Sequence, residues 1–184
     1  MKAKAIFIAI VAIITNNFIS SSIAQAEVIT KKVTVSDFNK LTVEDNINVI
    51  LYSGDQPGLS IEGNSKEVES VKVKQRGDEL VISRDSRSSK QEPITVYVVT
   101  KNLKDLTVAG TASVQCDNAL HTPVLSVLHT GTGNVKLKSD APIVITVSSN
   151  HGRMVVEGNY ANVVSRLDSY NRVIVAYSKE KSAS

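Results

Sequence analysis

The chain has 184 residues, which is enough for one domain with a sizeable hydrophobic core. It contains 21 basic and 18 acidic residues, but only three Phe, five Tyr and no Trp. A core with few aromatic side chains must be built from Val, Ile and Leu, and this composition favours β-strands. Because no basic tract is interleaved with aromatic residues, the sequence gives no support for nucleic-acid binding.

The N-terminal residues 1–26 match a secretory signal peptide. Lys2 and Lys4 form a basic start, residues 5–14 are apolar, and Ala24-Gln25-Ala26 is an A-x-A cleavage signal. The apolar run is short for a membrane span, which disfavours the alternative of an uncleaved membrane anchor. We therefore expect cleavage after Ala26 and export of the mature chain to the periplasm or the cell surface. Cleavage leaves 19 basic and 18 acidic residues and no membrane span.

Residues 27–102 contain short alternating apolar patterns, which predict strands with one buried face. Glu67–Ser70 fits either a single helical turn or a continued loop, and residues 83–93 are charged and Ser-rich, which indicates a solvated loop. No period is visible here, so we expect this part to cover one end of the structure that the rest of the chain forms. The predicted strands contain Val33–Val35, Ile47–Leu51, Leu59–Ile61, Val71–Val73, Leu80–Ile82 and Ile94–Val98, the fourth and fifth pairing as a hairpin around Arg76–Asp78.

Residues 103–177 contain the same unit four times. Each unit is an apolar pair, a turn of small residues and a second apolar pair, and the units recur every 19 to 21 residues. The first pairs are Leu106/Val108, Leu125/Val127 and Ile145/Val147, with a weaker fourth unit at Val164/Arg166. The second pairs are Val114/Cys116, Val135/Leu137, Met154/Val156 and Val173/Val175.

This repeat predicts an all-β chain. Pairs spaced two residues apart indicate strands, and a period of about 20 residues fits the rung of a β-solenoid, so we expect about four short rungs. Neighbouring rungs must stack, because no rung buries its apolar face alone. The alternative is an antiparallel β-meander sandwich. We favour the solenoid because a meander does not require turn residues to recur at one offset from the same apolar pair.

The chain resembles a bacterial family of exported proteins of unknown function, the "putative auto-transporter adhesin" head GIN domain family. The resemblance implies a right-handed parallel β-helix with a strand-rich N-terminal part, and it implies no established activity and no functional residues. One departure is that the later turns, Asn150–Gly152 and Ser169–Asn171, carry larger side chains than the Gly-x-Gly of the family pattern. The matching segments are Phe38–Val43, Asn48–Gly54, Leu59–Asn64, Gly77–Ile82, Val96–Val98, Leu103–Leu106 and Thr130–Val135.

The larger turns predict a candidate ligand-binding patch of His151, Arg153, Tyr170 and Arg172. Alignment of the rungs puts Arg153 and Arg172 one strand spacing apart, about 4.8 Å. Like charges at this distance repel unless an anion or a carboxylate lies between them. The patch therefore fits an anionic or sugar ligand, but we favour the alternative of a solvated ladder with Asp168 as partner, because surface charges contribute little.

The sequence gives little support for catalysis. Cys116 is the only cysteine, has the apolar parity of its strand and has no nearby His, so we interpret it as a buried hydrophobe rather than a nucleophile. His121 and His129 share no rung position with His151, so no metal site is predicted. No G-x-S-x-G motif is present. We predict no catalytic residue, no metal and no cofactor.

Three functions remain as hypotheses. The first is a non-enzymatic exported β-solenoid for cell-envelope interaction or adhesion; the second is a periplasmic module that binds a glycan or an anion; the third, least favoured, is a polysaccharide-processing enzyme. Partners would be an envelope glycan or protein, and open solenoid ends would allow self-association. We expect one domain over 27–178, with a strand-rich part at 27–102 and repeat rungs at 103–177, followed by a polar tail at 179–184.

Overall fold

The computed structural model describes residues 28–85, 94–149, 152–158, 160–167 and 172–177. The predicted signal peptide and polar tail lie outside these residues, as does most of the loop predicted at 83–93. The described residues are almost entirely β-strand, which confirms the all-β class. The elements are β1 (Ile29–Val33), β2 (Lys40–Val43), β3 (Ile47–Ser53), β4 (Gly58–Gly63), α1 (Ser65–Ser70), β5 (Val71–Arg76), β6 (Glu79–Arg84), β7 (Ile94–Thr100), β8 (Asp105–Val108), β9 (Ser113–Cys116), β10 (Val124–His129), β11 (Asn134–Ser139), β12 (Ile143–Ser148), β13 (Arg153–Gly158), β14 (Asn162–Leu167) and β15 (Arg172–Tyr177).

The strands form two mixed sheets. Sheet 1 has eight strands in the order β1-β4-β7-β3-β9-β11-β13-β15, and sheet 2 has seven in the order β14-β12-β10-β8-β2-β6-β5. From β8 to β15 the chain alternates between the sheets, and each strand pairs in parallel with the strand two places later. The antiparallel meander is therefore not the arrangement of this part of the chain.

The second apolar pairs have the register that the repeat predicts. Val135 pairs with Val114 on one side and with Met154 on the other, and Met154 pairs with Val173. The side chains of Val114, Val135 and Met154 are buried.

The predicted alignment of the first apolar pairs is wrong. Leu106 pairs with Val127 rather than with Leu125, and Val127 pairs with Thr146. In β12 the buried side chains are Val144, Thr146 and Ser148, so the predicted pair Ile145/Val147 has the opposite parity and faces away from the interior. The error arose because apolar residues occupy both faces of β12, so hydrophobicity alone could not choose the buried one.

The N-terminal part was expected to cover one end of the repeat. The structure shows that it also extends both sheets. Strands β2 and β3 pair in parallel with β8 and β9 of the repeat, and β6 and β7 pair in parallel with β2 and β3. Beyond them the pattern changes, because β4 pairs antiparallel with β7 and β1, and β5 pairs antiparallel with β6. The first strand is Ile29–Val33, which begins four residues before the predicted position.

The helix α1 lies at this end of the sheets. Residues Glu67–Ser70 were predicted as a helical turn or a loop, and the structure shows a helix that begins two residues earlier, at Ser65. The Asn64 side chain accepts a hydrogen bond from the Glu67 backbone N–H at 3.0 Å, and the Glu67 carboxylate accepts one from the Asn64 N–H at 3.4 Å. This reciprocal capping box fixes the start of the helix. The buried Val68 anchors it to the core.

The core lies between the two sheets and is made of the inward-facing Val, Ile and Leu side chains of alternating strand positions. It also contains polar groups near the far end, at His129, Thr146 and Ser148, all of which are buried. The largest fully buried side chains are Leu41, Ile47, Leu51, Ile61, Leu80, Ile82, Ile94, Leu103, Leu106, Leu120, Leu125 and Leu137.

The turns between strands of the repeat stack closely on one another. A Cβ added at Gly133 would lie 1.8 Å from the Ala112 carbonyl oxygen, and one at Gly152 would lie 2.6 Å from the Gly133 carbonyl oxygen. These distances leave no room for a side chain. The small residues that recur at fixed offsets in the sequence are therefore required by backbone contact between neighbouring turns.

Candidate ligand-binding face

The outer face of sheet 1 presents side chains in rows that run across the strands. Because alternate strand residues point to opposite faces, the residues between the buried positions form these rows. The first row is mainly polar, and the second contains aromatic, aliphatic and cationic side chains. The first row is Thr30, Glu62, Thr95, Asn48, Ser113, Asn134 and Arg153. The second row is Lys32, Ser60, Tyr97, Ile50, Gln115, Lys136 and Val155.

A shallow groove of about 390 Å³ crosses the middle of this face. Its volume is within the range of known ligand sites, roughly 300–1,000 Å³. The groove offers hydroxyl, amide and ammonium groups, and none of the described residues that line it is Asp or Glu. Its outward-facing lining residues are Asn48, Ile50, Thr95, Ser113, Gln115, Asn134 and Lys136.

The structure brings two of the four predicted site residues together. Arg153 pairs in register with Asn134 on one side and with Arg172 on the other, as the repeat predicted. The Arg153 side chain is exposed, and among the described residues no acidic side chain forms an ion pair with it. His151 and Tyr170 lie outside the described residues, as does Asp168. The patch as a binding site stays a prediction.

Two cations on this face, Lys136 and Arg153, differ in whether a described acidic side chain lies close to them. Lys136, which borders the groove, lies 3.8 Å from the Glu157 carboxylate, and both side chains are largely exposed. Such a pair contributes little to stability, because water screens it and its side chains lose freedom. Arg153, on the adjacent strand, has no such ion pair among the described residues, so it is the cation that could interact with an anion.

The other reactive side chains of the described residues are poorly placed for catalysis. Cys116 is a buried free thiol, as predicted, and burial raises the pKa of this thiol to about 11. It therefore stays protonated and weakly nucleophilic at neutral pH. His121 lies 2.5 Å from the Asp140 carboxylate on the surface. The described residues contain no group of three or more His, Cys, Asp or Glu side chains able to hold a metal ion.

Sequence reasoning missed the N-terminal half of this face. The alternation of Ile47, Val49 and Leu51 implies that Asn48, Ile50 and Tyr52 point outward, so part of the signal was present. The sequence does not show that β3 and β7 lie beside β9 and β11. That pairing joins residues 48–52 and 95–99 to the same surface as Asn134 and Arg153.

Comparisons with known proteins agree with this architecture. A family model described as "Putative auto-transporter adhesin, head GIN domain" matches residues 37–173. No curated protein matches the sequence. No helix in the described part of the chain is both long and apolar enough to span a membrane.

Several solved structures share the fold. A "putative adhesin" from Parabacteroides merdae superposes with a TM-score of 0.63 at 19% identity, covering 74% of this chain and 59% of its own. A "putative lipid binding protein" from Parabacteroides distasonis gives a TM-score of 0.58 at 16% identity, with coverage of 78% and 61%. A "putative adhesin" from Bacteroides fragilis gives 0.58 at 20% identity, with coverage of 77% and 79%. The chain thus spans about three fifths of the length of the first two.

Proposed function

Because the chain belongs to the auto-transporter adhesin head GIN domain family, we propose that it is an exported, non-enzymatic protein of the cell envelope that makes adhesive contacts through the outer face of sheet 1. The observation that carries this proposal is the groove across β3, β7, β9 and β11. It is open, lined by hydrogen-bonding side chains and contains no carboxylate among its described lining residues. Such a surface suits binding, whereas hydrolysis of a polysaccharide needs paired carboxylates.

The same proposal includes the architecture and the domain boundaries. The alternation of consecutive strands between two sheets, with parallel pairing of every second strand, supports a right-handed parallel β-helix. The rung pairs of the repeat continue into β2/β3 and β6/β7, which supports one domain over 27–178. Export rests on the signal-peptide pattern at residues 1–26.

Protease treatment of intact cells tests the adhesive function. The chain would carry a C-terminal tag, and a soluble periplasmic protein would serve as the protected control. We expect the tagged protein to be digested while the control survives. If the tagged protein is degraded only after the outer membrane is opened, surface adhesion is wrong and the periplasmic alternative replaces it.

A periplasmic module that binds an anion is the second candidate. The observation that favours it is the register of Arg153 with Arg172, two cations on neighbouring strands. His151 and Tyr170 belong to this candidate site on sequence grounds. The double variant Arg153→Ala/Arg172→Ala should lose saturable binding of polyphosphate by the purified protein, and unchanged binding would remove the candidate.

A further inference from the structure

A second groove lies on the outer face of sheet 1, beyond the first one and toward β1. It has a volume of about 460 Å³. Its walls come from strands β1, β3, β4 and β7 and from the chain that follows β1. We call it the Gly58 groove, lined by Lys32, Val35, Tyr52, Pro57, Gly58, Ser60, Tyr97 and Val99 among others.

The groove exists because one outward position of β4 has no side chain. Gly58 pairs with Val99 of β7, and Val99 pairs in turn with Tyr52 of β3. In the neighbouring row, Ser60 pairs with Tyr97. The missing side chain at Gly58 leaves a depression between these two rows. A Cβ at this position would have Val99 Cγ2 as its nearest neighbour, at 4.0 Å, so the depression could be filled without displacing the backbone.

Two of the five tyrosines of the chain border this depression, and both are half-buried. They lie on adjacent strands, diagonally across the sheet, at a spacing that aromatic side chains can bridge. The Glu62 carboxylate, through hydrogen bonding, and burial both raise the pKa of the Tyr97 hydroxyl, which places this carboxylate near the hydroxyl at the edge of the groove.

The backbone of the central strands of the groove, β4 and β7, is not available to a ligand. Strand β4 is paired on both sides, with β1 and β7, and β7 is paired on both sides, with β4 and β3. A peptide therefore cannot add to the sheet at this point, because strand addition requires a free edge. On these strands a ligand must be recognised by side chains, through the tyrosine rings and the polar groups of Ser60, Lys32 and Tyr97.

We propose that the Gly58 groove binds a neutral sugar residue of a glycan chain, which stacks on Tyr52 and Tyr97 and hydrogen-bonds to Ser60 and Lys32. A sugar ring has an apolar face of C–H groups and a rim of hydroxyls, and this matches a site with aromatic walls and a polar border. An acyl chain would leave the polar border without partners. The inference rests on the proposed function, since it names the ligand class of the same outer face.

Binding measurements on the purified mature protein test the inference. The probes are cello-, malto- and N-acetylchito-oligosaccharides, and their binding is measured by isothermal titration calorimetry. Gly58→Leu fills the depression, and Tyr52→Ala removes one ring; each should weaken binding at least about tenfold, as expected for a central contact residue. Thr107→Leu, which places the same side chain on the outer face of sheet 2, is the matched control and should bind as the unchanged protein does.

The outcomes separate the inference from the proposed function. Saturable binding that Gly58→Leu abolishes and Thr107→Leu retains supports the site, even if intact cells protect the protein from protease. The inference is overturned if none of the three oligosaccharides binds, or if Gly58→Leu binds normally. It is also overturned if the groove variants lose binding to phosphatidylcholine vesicles while no sugar binds. Thermal unfolding of each variant shows whether a loss reflects misfolding.

Discussion

The inward-facing side chains of sheet 2 are apolar at one end of the sheet and more polar at the other. One inward-facing column pairs Leu80 with Leu41 and then Leu106, whereas at the far end the same column contains Thr146 and Ser165. The three leucines are almost fully shielded from solvent, while Ser165 is exposed. The two ends therefore differ in how much apolar area they bury, and burial of that area is the main source of stability.

A second column shows the same change. It runs through Ile82, Val43 and Val108 and then reaches His129 and Ser148. His129 and Ser148 are buried, and among the described residues neither side chain has a hydrogen-bond partner. Buried polar groups without partners cost free energy. In sheet 2, the part of the chain with the clearest sequence repeat thus has the more polar interior.

Truncation at the two ends of the first column would show this difference most directly. We expect Leu80→Ala to lower the free energy of unfolding by about 2–5 kcal/mol, since it removes buried methyl groups and leaves a cavity. Ser165→Ala should lower it by less, about 1–2 kcal/mol, because it removes the hydrogen bond that Ser165 accepts from the buried Thr146 hydroxyl at 2.8 Å but removes no buried apolar group. Urea denaturation of both variants provides the measurement. Equal losses would mean that the two ends contribute equally and that the comparison fails.

Part of this architecture could be predicted from sequence. The register of Val114 and Val135 followed from strict alternation, because β9 and β11 have apolar residues on one face only. Strand β13 also has Val155 on its outer face, and the register of Met154 followed from its fixed offset from the preceding turn. The same reasoning failed in β12, where Ile143 and Ile145 lie on the outer face and Thr146 lies inside. Hydrophobicity identifies the buried face only where the other face is polar.

The position of the N-terminal part could not be predicted from sequence in the same way. Strands β2 and β3 lie between strands that come later in the chain, β6/β7 on one side and β8/β9 on the other. Such contacts join residues far apart in sequence, and no local pattern specifies them. For the same reason, alternation predicts that Tyr52 and Tyr97 point outward, but the Gly58 groove between them depends on the pairing of β4 with β7.

The polar end of the second column should make stability depend on pH. Burial lowers the pKa of His129 in the folded protein, and the nearby Gly133 backbone opposes this only in part. The unfolded chain takes up the proton near the ordinary pKa, about 6.5. As the pH falls below that value, the unfolded state binds a proton that the folded state does not bind. The free energy of unfolding should then decrease by at most about 1.4 kcal/mol per pH unit until the lowered pKa is reached.

The variant His129→Leu isolates this effect, because a leucine of similar size has no proton to bind. Urea denaturation at pH 7.5, 6.5 and 5.5 should show a smaller loss of stability on acidification in His129→Leu than in the unchanged protein. His121→Ala is the control, since His121 is exposed and paired with Asp140 at the surface. The same pH dependence in His129→Leu and the unchanged protein would contradict the assignment. If only His129→Leu shows a reduced dependence, the repeat end of the column tolerates its buried histidine only in the neutral form. At the other end of the column, Ile82 and Val43 have no ionisable group, so the stability of that end does not depend on a protonation state.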